Sequence, residues 1–211
     1  MCKHWPRKTH PRNYEEFVQR LKEIKQMGYV KTHRCGPTGI GKTLEDLLGI
    51  EENNVPGPNA AMIELKSARK GSKSMMTLIT KAPSPPGANS ELLKRFGYKA
   101  HSRSGLVLHV TLNPPNLWTN VKGKPVFKLD LKNDKIEIVS MSNEVLAFWD
   151  EKILRGAFEK KFPALMYVKA DCRGRGLNEE FWYNEAWLLR GFNFEGIKEL
   201  IRKNIMRIDI R

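Results

Sequence analysis

The run Ile63-Glu64-Leu65-Lys66 constrains this chain more than any other. Its apolar residues alternate with a carboxylate and an ammonium, the period-two pattern of a strand with one face in a core and one face carrying charge. Residues 61–67 therefore read as a strand, with Ile63 and Leu65 turned inward and Glu64 and Lys66 together on the other side. A carboxylate and an ammonium so placed can hold a divalent cation and position a water near a phosphate. The metal lowers the pKa of the water, and the lysine offsets charge on a pentavalent transition state. The competing reading is an ion pair on the solvated face of an edge strand.

Among the other acid-x-lysine triplets, two serve as instructive decoys. Glu23-Ile24-Lys25 falls in a helical pattern, where positions two apart do not face each other. Asp130-Leu131-Lys132 has strand alternation, but no acid precedes it between Tyr98 and Leu129. Of these three, it is Glu64 that has candidate acids upstream at a suitable distance, namely Glu45, Asp46, Glu51 and Glu52. Within residues 53–90 it is also the only acid, among Lys66, Arg69, Lys70, Lys73 and Lys81. One carboxylate in a basic field suits a metal-dependent cut in a polyanion.

The whole chain repeats that bias. Its 211 residues carry 37 Lys+Arg against 23 Asp+Glu, a formal charge of +14, which asks for a polyanionic partner, with nucleic acid first. At 40% hydrophobic and 28% charged, the composition is that of a folded protein. No run approaches the roughly 18 apolar residues that span a bilayer, and the first residues have no apolar signal core. Three cysteines, Cys2, Cys35 and Cys172, do not suit a disulfide scaffold, and a cytoplasmic location is expected.

Asn13 with Glu16 three residues on predicts a capped helix carrying Tyr14, Phe17, Leu21, Ile24 and Met27, ended by Gly28. A Gly-rich loop leads into a short helix with Leu44, Leu47 and Leu48. After residues 61–67, a basic hairpin predicts a second strand over 75–81, and Pro83 to Gly87 a linker or surface loop. Strands follow over 106–112, 126–131 and 136–141, a helix over 145–161, a strand over 165–170, and the aromatic segment Phe181-Trp182-Tyr183, which reads as core. A helix over 197–203 and a strand over 205–210 complete a mixed α/β chain.

Gly36-Pro37-Thr38-Gly39-Ile40-Gly41-Lys42-Thr43 also matches the phosphate-binding loop G-x-x-x-x-G-K-[ST] at every position. Such a loop would place Lys42 on β- and γ-phosphates and Thr43 on magnesium, making the protein a nucleotidase. The context is wrong: residues 28–35 are mostly polar where a buried strand belongs, and Lys169 interrupts the run before Asp171, the best second magnesium ligand.

Residues 38–51, followed by Ile63-Glu64-Leu65-Lys66-Ser67-Ala68-Arg69, resemble the MvaI/BcnI restriction endonucleases, relatives of the nicking enzyme MutH within the PD-(D/E)XK nucleases. The resemblance is densest over residues 36–81. It implies a mixed-sheet PD-(D/E)XK core of α/β type with a second, β-rich DNA-recognition lobe. The implied lobes are residues 1–100 catalytic, 101–195 recognition and 196–211 packing back on the core. It also implies a monomer that cuts double-stranded DNA with Mg2+ at a short G·C-containing site, leaving a 5′-phosphate.

Carried over, Glu45 takes the helix role, Glu64 is a metal ligand and Lys66 the catalytic lysine. The family aspartate falls five residues before the strand glutamate, where this chain has Asn59. An amide oxygen still coordinates magnesium but brings no negative charge, so the departure from the family pattern implies a nuclease that is weakened, compensated by a neighbour or inactivated by substitution, or else a decayed DNA-binding module. Arg69, Lys70 and Lys73 are candidate DNA contacts. The resemblance further suggests Asp171, Arg173 and Arg175 as base readers, since arginine pairs with guanine and aspartate accepts from cytosine N4; contacts to phosphate or solvent are the alternative. His101 and His109 are weaker DNA candidates.

Restoring the missing charge tests the Asn59 reading. Asn59→Asp raises magnesium-dependent DNA cleavage, measured on a plasmid substrate; no gain in cutting would contradict it.

Overall fold

The computed structural model describes residues 10–50, 63–100, 104–161 and 164–211. Asn59, Glu51, Glu52 and His101 lie outside the described residues. In chain order the elements are α1 (Tyr14–Gln26), β1 (Val30–Lys31), α2 (Gly39–Leu48), β2 (Ile63–Arg69), α3 (Ala88–Phe96), β3 (Tyr98–Lys99), β4 (Leu106–Val107), β5 (Val110–Thr111) and β6 (Thr119–Val121). They continue with β7 (Lys124–Leu131), β8 (Lys135–Ser140), β9 (Val145–Asp150), α4 (Glu151–Lys161), β10 (Ala164–Arg173), β11 (Glu180–Leu189), α5 (Phe194–Arg202) and β12 (Asp209–Ile210).

These elements form two compact units. One is Met1–Leu78 with Glu159–Gly191, the other Ile79–Phe158 with Phe192–Arg211. The expected boundaries near residues 100 and 195 are therefore displaced. β10 pairs in parallel with β2, Glu64 opposite Leu165 and Lys66 opposite Tyr167, and that ladder draws residues 164–189 into the unit that carries Glu64. Nothing short joins parallel strands, so the chain between them is free to build the other unit.

The first unit is a mixed sheet in the order β1-β11-β10-β2, with β2 outermost among the described strands. One face is covered by α1 and α2. Phe17, Ile24, Leu44 and Leu48 pack there with Ile63, Leu65, Met166, Val168, Phe181 and Tyr183. α1 begins as expected: Asn13 Oδ1 accepts the Glu16 N–H at 2.8 Å. The Glu16 carboxylate, however, takes the Arg12 N–H and the Arg20 guanidinium rather than closing a reciprocal capping box on Asn13. Phe181 and Tyr183 are core, as expected, whereas Trp182 points the other way and donates its indole N–H to the Lys25 carbonyl.

In the second unit, β6 to β9 form an antiparallel meander in sequence order. Phe127, Leu129, Ile136, Ile138 and Ala147 are buried along it. Several expectations need correction here. Residues 75–81 form no strand, because the partner of β2 is β10 and the chain leaves the sheet after Gly71. The expected helix over 145–161 is β9 followed by α4: Val145 to Trp149 pair with β8, and Asp150 Oδ1 then accepts the Ile153 N–H at 2.7 Å. An apolar run of that length reads equally well as strand or helix, and the hairpin at Asn143 (φ 62°) decides for strand.

Residues 106–112 split into β4 and β5, and 205–210 shrink to β12, which pairs with β5. α3 was not foreseen; it packs Leu92 inward after Gly87. The C-terminal segment, Phe192–Arg211, belongs to the second unit. Buried Lys198 donates to the Lys132 and Asn133 carbonyls of the second. No helix among the described residues is long and apolar enough to cross a membrane.

Candidate active site

On β2 the alternation read from sequence holds. Ile63 and Leu65 enter the core, and Glu64 and Lys66 share the opposite face, with Lys66 Nζ 2.7 Å from Glu64 Oε1. The burial of this pair separates it from an ordinary surface pair. The Glu64 side chain is 5% exposed and that of Lys66 30%. The decoy Asp130–Lys132 has the same spacing and a similar 2.6 Å contact, but its side chains are 37% and 52% exposed. An exposed pair of that kind contributes little to stability, whereas a carboxylate taken out of water carries a desolvation cost of several kcal/mol.

Glu45 is half-buried on α2, the helix that packs on β2. Its neighbour Asp46 turns to Lys42 Nζ at 2.8 Å and to the His33 imidazole, whose Nδ1 lies at 2.9 Å. Burial pushes the Asp46 carboxyl up, but the hydrogen bonds from Lys42 and His33 outweigh it and hold the group below its ordinary range.

The same contacts exclude the phosphate-loop reading. α2 starts at Gly39, so half of the glycine motif is already helix. Lys42 is held by Asp46, and Thr43 is fully buried, its hydroxyl accepting the His33 N–H at 2.9 Å. The Ile40 carbonyl accepts from the Tyr183 hydroxyl at 2.7 Å, and burial raises that phenol far above its usual pKa. Gly39 is glycine for a local reason: a Cβ there would stand 2.1 Å from the Arg34 carbonyl oxygen.

The remaining candidates divide sharply. Arg69 is fully engaged: bidentate to Glu179 at 2.7 and 2.8 Å, bonded to the Gly36 and Pro37 carbonyls at 3.1 Å, and 5.3 Å from the Phe181 ring centroid. It ties the Gly-rich loop to the sheet. Lys70 lies 3.4 Å from both Asp171 and Glu185. Asn184 donates to Asp171 Oδ2 at 2.6 Å from a bulge between Lys169 and Ala170. Arg173 bonds Glu180 at 2.5 Å and stacks 4.1 Å from the Tyr29 centroid. Lys73 and Arg175 are exposed and have no ion-pair partner among the described residues. Lys70, Asp171 and Arg173 thus gather at the C-terminal ends of β2 and β10.

Sequence reasoning missed Lys169, Tyr167 and Trp187. The Tyr167 and Trp187 rings stack at 5.9 Å, and Lys169 Nζ lies 5.7 and 5.2 Å from their centroids. Alternation along residues 165–169 could have placed Tyr167 and Lys169 on one face, but not Trp187 beside them.

Among the described residues, no three His, Cys, Asp or Glu side chains converge as a metal site. Oxygen donors suit magnesium, which commonly takes one or two protein carboxylates and leaves other positions to water and substrate phosphate. Glu64 with Asn59 fits that demand in donor type.

The chain as a whole is similar to known restriction endonucleases. The MvaI/BcnI restriction endonuclease family matches residues 18–211. A structure described as a restriction endonuclease MvaI–cognate DNA substrate complex is 29% identical, with a TM-score of 0.79, covering 93% of this chain and 83% of that one. Restriction endonuclease MvaI in the absence of DNA is 28% identical, with a TM-score of 0.55, covering 92% and 89%. No curated protein sequence matches the chain.

The Arg69 latch has a pH signature. The Arg69 hydrogen bonds, opposed by burial, hold the Glu179 carboxyl below its ordinary 4.5. A depressed carboxylate pKa stabilises the fold above the unfolded value and stops doing so as pH falls through the folded one. Glu179→Gln therefore lowers stability by about 1–3 kcal/mol at pH 7. In thermal unfolding against pH, its gap from the parent narrows below about pH 4.5; a constant gap would contradict the latch.

Proposed function

The chain belongs to the MvaI/BcnI restriction endonuclease family, and from that premise we propose that it cuts double-stranded DNA at a short G·C-containing site, as a monomer, with Glu64 and Lys66 at the cutting centre. The observation that carries this reading is the buried Glu64 carboxylate paired with half-buried Lys66, on the β2 face opposite Ile63 and Leu65. Site-specific DNA cleavage is the activity of the family to which the chain belongs.

Glu64 and Asn59 are the residues that would hold Mg2+, which when bound supplies a Lewis acid beside the scissile phosphate and lowers the pKa of water there. Lys66 remains accessible enough to reach that phosphate. Its ammonium offsets the charge that grows on the phosphoryl oxygens and hydrogen-bonds the incoming water, holding it for in-line attack. Glu45, on the helix behind, supports the site from α2.

For recognition, Asp171 and Arg173 are the best-placed base readers. Both acceptor contacts of Asp171 fall on Oδ2, and Oδ1 has no hydrogen-bond partner among the described residues. A carboxylate oxygen held this way accepts from cytosine N4. Lys70, Lys73 and Arg175 serve the backbone, where most protein–DNA hydrogen bonds go. Arg69 serves the fold. A second reading, a DNA-binding module whose cutting centre has decayed, rests on Asn59 alone.

Glu64→Gln and Lys66→Met separate the two. Each keeps side-chain length, and each lowers cleavage at least about a hundredfold, in the parent and with Asn59→Asp, while duplex binding changes only a few-fold. Cleavage that survives both changes would overturn the assignment. Binding without cutting in the parent and in Asn59→Asp would favour the module.

A further inference from the structure

The ladder across the first unit aligns three side chains on one row and one face: Lys66 on β2, Tyr167 on β10 and Trp187 on β11. The next row on that face is Ala68, Lys169 and Glu185. The cutting pair is therefore continuous with an aromatic stack and a lysine. Neighbouring strands lie about 4.8 Å apart, so Trp187 sits about 10 Å from Lys66, the rise of roughly three nucleotides at about 3.4 Å each.

The row is open to solvent where it matters. Trp187 is 40% exposed, although it stacks on Tyr167 at a tilt of 26°. A core aromatic would be covered here; this one presents its ring. Lys169 stands over both rings, and among the described residues no carboxylate lies within ion-pair distance of it. Its ladder neighbour Glu185 turns to Lys70 at 3.4 Å. Ring contacts fix the direction of the ammonium at a cost below that of a salt bridge and leave its N–H donors available.

We propose that Lys169, carried on the Tyr167–Trp187 stack, is a DNA-backbone clamp that takes a phosphate close to the one being cut, with Trp187 packing against the adjoining deoxyribose. The clamp rests on the endonuclease reading and deepens it. It gives the sheet face a second anchor beside Lys66, so that the strand lies along the row rather than touching one point. Lys169 is in this sense a positioning residue, since it reaches the backbone and not the reacting atoms.

Counterion release provides the test. Binding of a short mixed-sequence DNA duplex to the full chain is measured against salt concentration without added divalent cation, so that the duplex is held and not cut. Lys169→Ala reduces the slope of log affinity against log salt by about 0.9, the value of one lost phosphate contact, and Lys169→Arg keeps the parent slope. Lys169→Gln, which retains the stem over the rings, shows the same loss as alanine. Trp187→Ala weakens binding about five- to tenfold at unchanged slope, and Trp187→Phe restores most of it.

An unchanged slope in Lys169→Ala and Lys169→Gln overturns the clamp, whatever happens to affinity. Failure of the parent chain to bind the duplex at all overturns the endonuclease reading along with it.

Discussion

The parallel pairing of β2 with β10 is the constraint from which the rest of the first unit follows. It sets Glu64 beside Leu165 and Lys66 beside Tyr167, and so fixes which residues share a face with the Glu64–Lys66 pair. It also makes the chain leave the sheet after β2 and return only at Ala164. A one-residue slip in this register would turn Glu64 and Lys66 toward α1 and α2, and Ile63 and Leu65 toward solvent. The core side chains Leu44, Leu48, Val168 and Phe181 act against that slip, so packing on one face determines chemistry on the other.

Burial then does what spacing alone does not. Glu64–Lys66 and Asp130–Lys132 have the same sequence form and similar contact distances, yet one carboxylate is withdrawn from water and the other is solvated. A carboxylate withdrawn from water has lost much of its hydration and has more to gain from a cation than one that keeps it. On the face of Glu64 and Lys66, Lys169 is held by its cation–π contacts, while Arg69, on the opposite face of β2, is held by Glu179 and the Phe181 ring.

Much of this was legible in the chain itself. The alternation at Ile63 to Lys66, the Asn13 cap and the glycine-led helix of Leu44, Leu47 and Leu48 are local signals, and local signals survive folding. What escaped was set by distant partners. Nothing near Arg69 in sequence announces Glu179, 110 residues on, so its part in holding the fold was not legible. The phosphate-loop pattern matched at every letter, but Thr43 and Lys42 were claimed by His33 and Asp46. Residues 145–150 satisfied strand and helix alike until β8 supplied a partner. The Tyr167–Trp187 row depends on a register that no periodicity reveals.

The central claim is that the outward face of β2 is where DNA is cut. A crystal structure of the chain with a DNA duplex and calcium, which occupies oxygen sites without supporting rapid cleavage, addresses it most directly. The account predicts a phosphate within hydrogen-bonding reach of Lys66, a cation shared between that phosphate and Glu64, and the DNA strand running along the row toward Trp187. A duplex seated on another surface, with Glu64 and Lys66 still closed on each other, would contradict it.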